Sequence, residues 1–242
     1  MNQSRFYRSW AETGLINFTV REEETDIFIS AEKNLKSKVE ALVRRYRRDI
    51  SDYVKLNPGF RESLEPLPPD ENAAEIVKAM LASTRAAGVG PMAAVAGAIS
   101  GFVGKGLLEY SNQVILENGG DIFIKTDRER NIGIYAGDSV LSGKVAIKIR
   151  PGATPAGIST SSGTVGHSLS FGKADAVTVI SADASLADAS ATAACNRVKT
   201  ASDIKAALDF AKSIEGVKGC VVIYRDKIGS IGEIELIQGG AR

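Results

Sequence analysis

One histidine, two cysteines and no long run of strongly apolar residues close off several routes to chemistry in this 242-residue chain. With His167 alone, a multi-histidine metal site is excluded. No G-x-S-x-G elbow supplies a serine for it to activate, and there is no Walker A loop. Cys195 and Cys220 are too few and too unpatterned for a disulfide framework or a zinc site, and their apolar neighbours predict buried thiols. Charged residues make up 24% of the chain but the formal net charge is only +1, so no general footprint for nucleic acid or an anionic membrane exists. Residues 1–14 lack an apolar signal-peptide core and a lipidation pattern. The least polar run, 86–103, is mostly Ala and Gly and is broken by Pro91. Its Gly97-Ala-Ile-Ser-Gly101 spacing fits a close-packed helix that meets either the core or a second subunit. These absences predict a cytoplasmic, reduced protein without a nucleic-acid or membrane partner.

The length permits a substantial core, and we expect a single domain over residues 1–242. A hairpin is predicted from Leu15–Arg21 and Thr25–Ser30 around an acidic turn. An amphipathic helix follows to about Leu56, with Leu35, Val39, Leu42, Tyr46 and Tyr53 at helical spacing and Arg44, Arg45, Arg47 and Arg48 on a solvated face. Residues 57–72 read as an irregular, Pro-rich connection. Helices are predicted over Ala73–Ala87 and from Pro91 to about Tyr110. Strands follow at Gln113–Glu117, Ile122–Thr126, Ile132–Tyr135 and Val145–Arg150, then a polar, flexible stretch over Gly157–Ser168. A strand at Ala176–Ile180, helices at Ser185–Lys199 and Ser202–Ile214, and strands at Gly219–Tyr224 and Ile231–Leu236 complete the chain. Irregular alternation with hairpin-linked strands predicts an α+β fold of mostly antiparallel sheets packed with helices.

Ser185-Leu-Ala-Asp188-Ala-Ser-Ala-Thr192-Ala is the most informative segment. It sets a carboxylate and a hydroxyl four residues apart on one helix face, about 6 Å along the axis. Such oxygens suit a hard cation that also takes substrate phosphates. The same segment fits a helix start in which Ser185 caps and Asp188 lies near the positive dipole end. Asn118-Gly119-Gly120-Asp121 is the sequence of a tight hairpin turn. Gly88-Val-Gly90-Pro-Met-Ala93 follows a helix where a dinucleotide fingerprint requires a strand.

Taken in order, Gly90-Pro-Met-Ala-Ala-Val-Ala-Gly97, Glu117-Asn-Gly-Gly-Asp121, Gly157-Ile-Ser-Thr-Ser-Ser-Gly163 and Leu186-Ala-Asp-Ala-Ser-Ala-Thr-Ala193 resemble the ApbE superfamily, whose best-known members are FAD:protein FMN transferases. The chain looks closest to its shorter members without an export signal, with similarity over roughly residues 86–236. The resemblance implies an ApbE-like fold and a Mg²⁺ held by Asp188, Thr192 and a main-chain carbonyl of Ala93 or Ala94. It implies a site for FAD or FMN formed by Asn118, Gly119, Gly120 and Asp121 and lined by Thr160 and Ser161. It also implies an acceptor protein whose Ser or Thr hydroxyl receives FMN, with His167 as the base.

One departure bears on that last role. The family carries Asp-Pro and then Thr-Gly shortly after the histidine, whereas this chain reads His167-Ser-Leu-Ser-Phe-Gly-Lys-Ala-Asp175. Three readings follow: an Mg²⁺-dependent enzyme that transfers FMN or cleaves the FAD pyrophosphate, a non-catalytic flavin or nucleotide binding module, and a fold relative with an unrelated small-molecule substrate.

Overall fold

A computed structural model describes residues 14–165 and 170–240. Strands β1 (Ile16–Glu22) and β2 (Thr25–Ala31) form the expected hairpin, and Glu23 takes a positive φ in its turn. Helix α1 (Lys36–Leu56) buries Val39, Val43 and Ile50. Its arginines are not all free in solvent, as the sequence suggested. Arg44 pairs with Glu22, while Arg47 binds Thr25, Glu23 and Glu24, so the helix clamps the acidic turn. The Pro-rich connection contains one short helix, α2 (Gly59–Glu62), which buries Phe60.

Helix α3 (Glu75–Ala87) ends at Gly88 in the left-handed conformation that favours glycine. The next helix begins differently from expectation: Pro91–Ala94 is a 3₁₀ turn, and α4 runs from Val95 to Leu107. Glycine lets α4 lie deep in the molecule. A Cβ at Gly104 would overlap the Phe123 ring, and one at Gly97 would lie 2.3 Å from the Ala184 carbonyl oxygen. The Gly/Ala-rich face therefore packs into the core rather than waiting for a second subunit. No single helix among the described residues is long and apolar enough to cross a membrane, and α3 meets the Pro91–Leu107 segment at a 105° bend.

The remaining elements are β3 (Val114–Asn118), β4 (Asp121–Lys125), β5 (Arg130–Gly133), β6 (Val145–Ile149), β7 (Ala156–Ser161), β8 (Ala176–Ser181), α5 (Ala184–Cys195), α6 (Ile204–Ser213), β9 (Val217–Tyr224), β10 (Lys227–Gly232) and β11 (Leu236–Gln238). Eight strands make one sheet in the order β1-β2-β3-β4-β7-β8-β9-β10, and β11-β6-β5 make a second. Every neighbouring pair is antiparallel. The fold is therefore the α+β, mostly antiparallel arrangement expected. Helices cover one face of the large sheet, over a core that includes Leu116, Phe123, Val177 and Val179. The small sheet covers the other, over Ile124, Ile147, Ile158 and Ile180.

Two expectations need correction. Residues 156–161 are a central strand, not a flexible loop, because alternation serves two buried faces. Gly157, Ser159 and Ser161 lie under α5 while Ile158 packs into the second core. The predicted closing strand over Ile231–Leu236 is split between β10 and β11, which belong to different sheets. Both cysteines are buried free thiols, as expected.

Candidate functional site

Asn118 ends β3 and Asp121 opens β4, so Gly119 and Gly120 form the two-residue loop between them. Both glycines have positive φ, at 70° and 111°, as such a hairpin requires. The Gly120 amide donates to Glu117 Oε1 at 3.0 Å, and its carbonyl accepts the Thr160 amide from β7. Asn118 points to the helical side, where its Nδ2 donates to the Ala96 carbonyl at 3.2 Å. Turn, strand β7 and the start of α4 are thus tied together.

The cap of α5 is Asp183, not Ser185. Its Oδ1 accepts the amides of Ser185 and Leu186 at 2.8 and 3.2 Å. An Asp two residues after a strand was a readable cap signal, but the Ser185/Asp188 spacing obscured it. Asp188 is therefore one turn inside the helix and reaches a different helix end. It accepts the Gly97 amide at 2.8 Å and also the Ala96 amide, both in the first turn of α4. Helix α4 has no side-chain cap of its own. The Asp188 carboxylate fills that role from across the helix pair, at the positive dipole end.

Approach of α4 and α5 makes this geometry available. Ala184 is enclosed by Gly97 and Gly101 of α4 and Gly157 of β7. A Cβ at Gly157 would lie 2.3 Å from the Ala184 Cα. Below α5, Asp121 faces the helical layer with Phe123, directly opposite Ser159 of β7. Burial pushes the Asp121 carboxyl up to about 7, and the Glu117 charge adds to the rise. Burial, then the charge of Asp121, likewise push Asp188 well above the ordinary carboxylate range, against the opposing pull of the Gly97 and Ala96 amides. Two carboxylates thus repel one another in a desolvated place, and among the described residues no Lys or Arg offsets either rise.

Thr192 lies one turn beyond Asp188 on the same helix, half-buried. The 3₁₀ turn carrying Ala93 and Ala94 packs against α5, with Ala93 the more exposed of the two. Asp188 and Thr192 share one face of α5, and the Asp121 charge is close enough to act on Asp188; oxygens of these kinds are the donors a hard cation takes. Among the described residues no three His, Cys, Asp or Glu side chains form a metal-binding cluster by themselves, so the hydroxyl and main chain are needed to complete such a set.

Thr160 and Ser161 diverge, as neighbours in a strand must. Thr160 hydrogen-bonds Thr178 at 2.9 Å on the small-sheet side, while Ser161 lies against the Cys195 thiol under α5. Thr160 meets the Gly119-Gly120 turn through its backbone. His167 lies outside the described residues. The flanking chain is anchored near the end of α5, where the Gly163 amide donates to Ala174 and the Phe171 amide to Asn196 Oδ1. Sequence reasoning did not select Ser159, although the period-two pattern of 157, 159 and 161 was the signal for it.

A family profile described as "AbpE bacteria" matches residues 8–235. A UPF0280 protein of Methanocaldococcus jannaschii is 38% identical over 227 residues, covering 91% of this chain and 92% of its own length. A UPF0280 protein of Methanosphaerula palustris is 41% identical over 220 residues, covering 90% of each chain. The fold is similar to that of the apo flavinyl transferase ApbE of Pseudomonas stutzeri, with a TM-score of 0.52 and 14% identity over 90% of this chain and 93% of that one. It is also similar to the ApbE protein of Thermotoga maritima, with a TM-score of 0.55 and 14% identity over 90% of this chain and 97% of that one. With its antiparallel sheets, its Asn118–Asp121 turn and its Asp188 helix in one frame, the chain belongs to the AbpE bacteria family and is a member of the ApbE-like superfamily.

Proposed function

We infer that this protein is an Mg²⁺-dependent flavin-nucleotide protein that binds FAD and either cleaves its pyrophosphate or passes FMN to a Ser or Thr hydroxyl of an acceptor protein. The observation that carries this reading is the Asp188–Asp121 pair, two desolvated carboxylates of which Asp188 sits at the head of α4, with no Lys or Arg among the described residues to offset their raised pKa values. The likeness to the Pseudomonas flavinyl transferase ApbE supports the choice of flavin.

Asp188, Thr192 and the Ala93 carbonyl would hold the cation, with Ala94 as the alternative carbonyl. Bound Mg²⁺ would neutralise charge on the pyrophosphate oxygens. The Gly97 and Ala96 amides fix the Asp188 carboxylate, so little reorganisation is needed at that ligand. Without Cβ atoms, Gly119 and Gly120 let main chain approach a flat ligand closely, and Gly119 is exposed. Asn118 and the Thr160 backbone hold this turn in place, and Thr160 and Ser161 are proposed to line the same region. His167 is the group proposed to accept the acceptor's hydroxyl proton, since imidazole titrates near neutrality. A second reading, binding without protein flavinylation, is favoured by the chain's own Ser168-Leu169-Ser170 where the resembled family carries Asp-Pro. A cytoplasmic location is part of this proposal.

The test is a flavin-fluorescence titration of FAD with and without Mg²⁺, followed by chromatography for AMP. Mg²⁺-dependent binding with AMP release supports the enzyme, and binding without AMP supports the module. Absence of binding in both conditions sinks the flavin reading.

A further inference from the structure

The geometry points to Ser159 as a positioning residue for this site, acting through Asp121; the assignment rests on the cation site proposed above. Ser159 is fully buried, and its Oγ has no hydrogen-bond partner. A buried hydroxyl left unpaired is unfavourable, so a serine in the middle of a central strand calls for a reason. Its place supplies one. On the same face of β7, Gly157 lies beneath Ala184 at the start of α5 and Ser161 lies against Cys195 at its end. Ser159 is midway, beneath the stretch of helix that carries Asp188. On the neighbouring strand it is paired directly with Asp121.

The hydroxyl stands outside hydrogen-bond geometry with Asp121, yet near enough to favour the ionised carboxylate. A small rotation of either side chain would let Ser159 Oγ donate to one Asp121 oxygen and leave the other facing Asp188. Outer hydrogen bonds of this kind orient the groups around metal ligands; here the bond would fix Asp121 against Asp188, the proposed ligand. Alanine would occupy the same core position without an orphan hydroxyl, so packing alone does not explain serine here.

Ser190 supplies an internal control. It too is buried with an unpartnered Oγ, but it is two residues from Asp188 and therefore about 200° around the helix. The experiment uses the full chain and Mn²⁺ alone, followed by electron paramagnetic resonance of the free ion, with thermal melting beside it. Wild type should bind Mn²⁺, and Asp188→Asn should lose that binding. Ser159→Ala should weaken it by about tenfold or more with an unchanged or higher Tm, and Ser190→Ala should leave it unchanged. Unaltered affinity in Ser159→Ala overturns the assignment, as does a loss matched by Ser190→Ala or accompanied by a lower Tm. Wild type that binds no Mn²⁺, or binds it independently of Asp188, overturns the cation site itself together with the role of Ser159.

Discussion

The Asp188 carboxylate of α5 accepts the Gly97 amide of α4 at 2.8 Å, and the missing side chain of Gly97 is what allows it. A Cβ there would lie 2.6 Å from the Asp188 Cβ. One residue thus joins two tasks, capping a neighbouring helix and presenting a carboxylate beside Asp121. The sequence offered two competing readings of this segment, a helix start capped by Ser185 with Asp188 at the positive dipole end, and a cation ligand at Asp188. The geometry makes them compatible, because the cap serves another helix and leaves carboxylate charge at the site.

Asp188→Ala and Asp188→Asn should therefore behave differently. Alanine removes the acceptor for the α4 amides and should lower stability by about 0.5–2 kcal/mol, the usual range for a lost cap. Asparagine keeps an acceptor oxygen and should hold stability closer to wild type, while removing the charge a cation needs. Both should lose Mg²⁺-dependent FAD binding. Denaturant unfolding and flavin titration check the pair; equal Mg²⁺-dependent affinity in Asp188→Asn and wild type would contradict the assignment.

Gly97→Ala should be more damaging than Gly101→Ala. The first places a methyl 2.3 Å from the Ala184 carbonyl oxygen, the second 3.2 Å from the Ala184 Cβ. Backbone must move in the first case, with an overpacking penalty of about 1–3 kcal/mol. Because the same movement lengthens the Asp188–Gly97 hydrogen bond, FAD affinity should fall alongside Tm. Melting curves that rank the two variants in the opposite order would refute the packing argument.

Metal-free protein should lose stability as pH rises from about 4 to 7. The buried Asp121 carboxyl titrates near 7 in the folded chain, against an ordinary value of 3.8. Across that interval the folded state holds a proton that the unfolded state has released, so unfolding is favoured by raising pH. Asp188 moves in the same direction. Each tenfold difference in proton affinity between the two states is worth about 1.4 kcal/mol, so the loss is on the order of a few kcal/mol. Asp121→Asn should flatten the dependence, and Mg²⁺ should raise Tm more at pH 8 than at pH 5. Parallel pH profiles for wild type and Asp121→Asn would count against it.

Gly120→Ala should lower stability by about 1–2 kcal/mol through strain at its φ of 111°, since an L side chain is disfavoured there. The nearest obstacle to the new methyl, the Thr160 carbonyl oxygen, is 3.5 Å away, an ordinary contact. Strain rather than collision should therefore dominate. Urea titration gives the loss, and an unchanged midpoint would show that the turn relaxes freely.

The sequence by itself determined what is local. Alternation and turn residues located the β1–β2 and β3–β4 hairpins, and Gly119-Gly120 specified a loop whose two residues both have positive φ. Helical spacing placed Asp188 and Thr192 on one face of α5, and the absence of histidine and cysteine clusters removed whole classes of site. The mixed antiparallel fold was legible for the same reason: hairpins form between chain neighbours. Tertiary structure decided what depends on partners distant in the chain. The Gly157–Ser161 segment reads as polar loop until both its faces are seen to be buried. Asp183 displaced Ser185 as the cap once β8 fixed where α5 could begin. Asp188 met Gly97 across 91 positions, and Asp121 met Ser159 across a strand pairing that bypasses β5 and β6. Periodicity reports which side of an element is apolar; only packing reports which element lies against it.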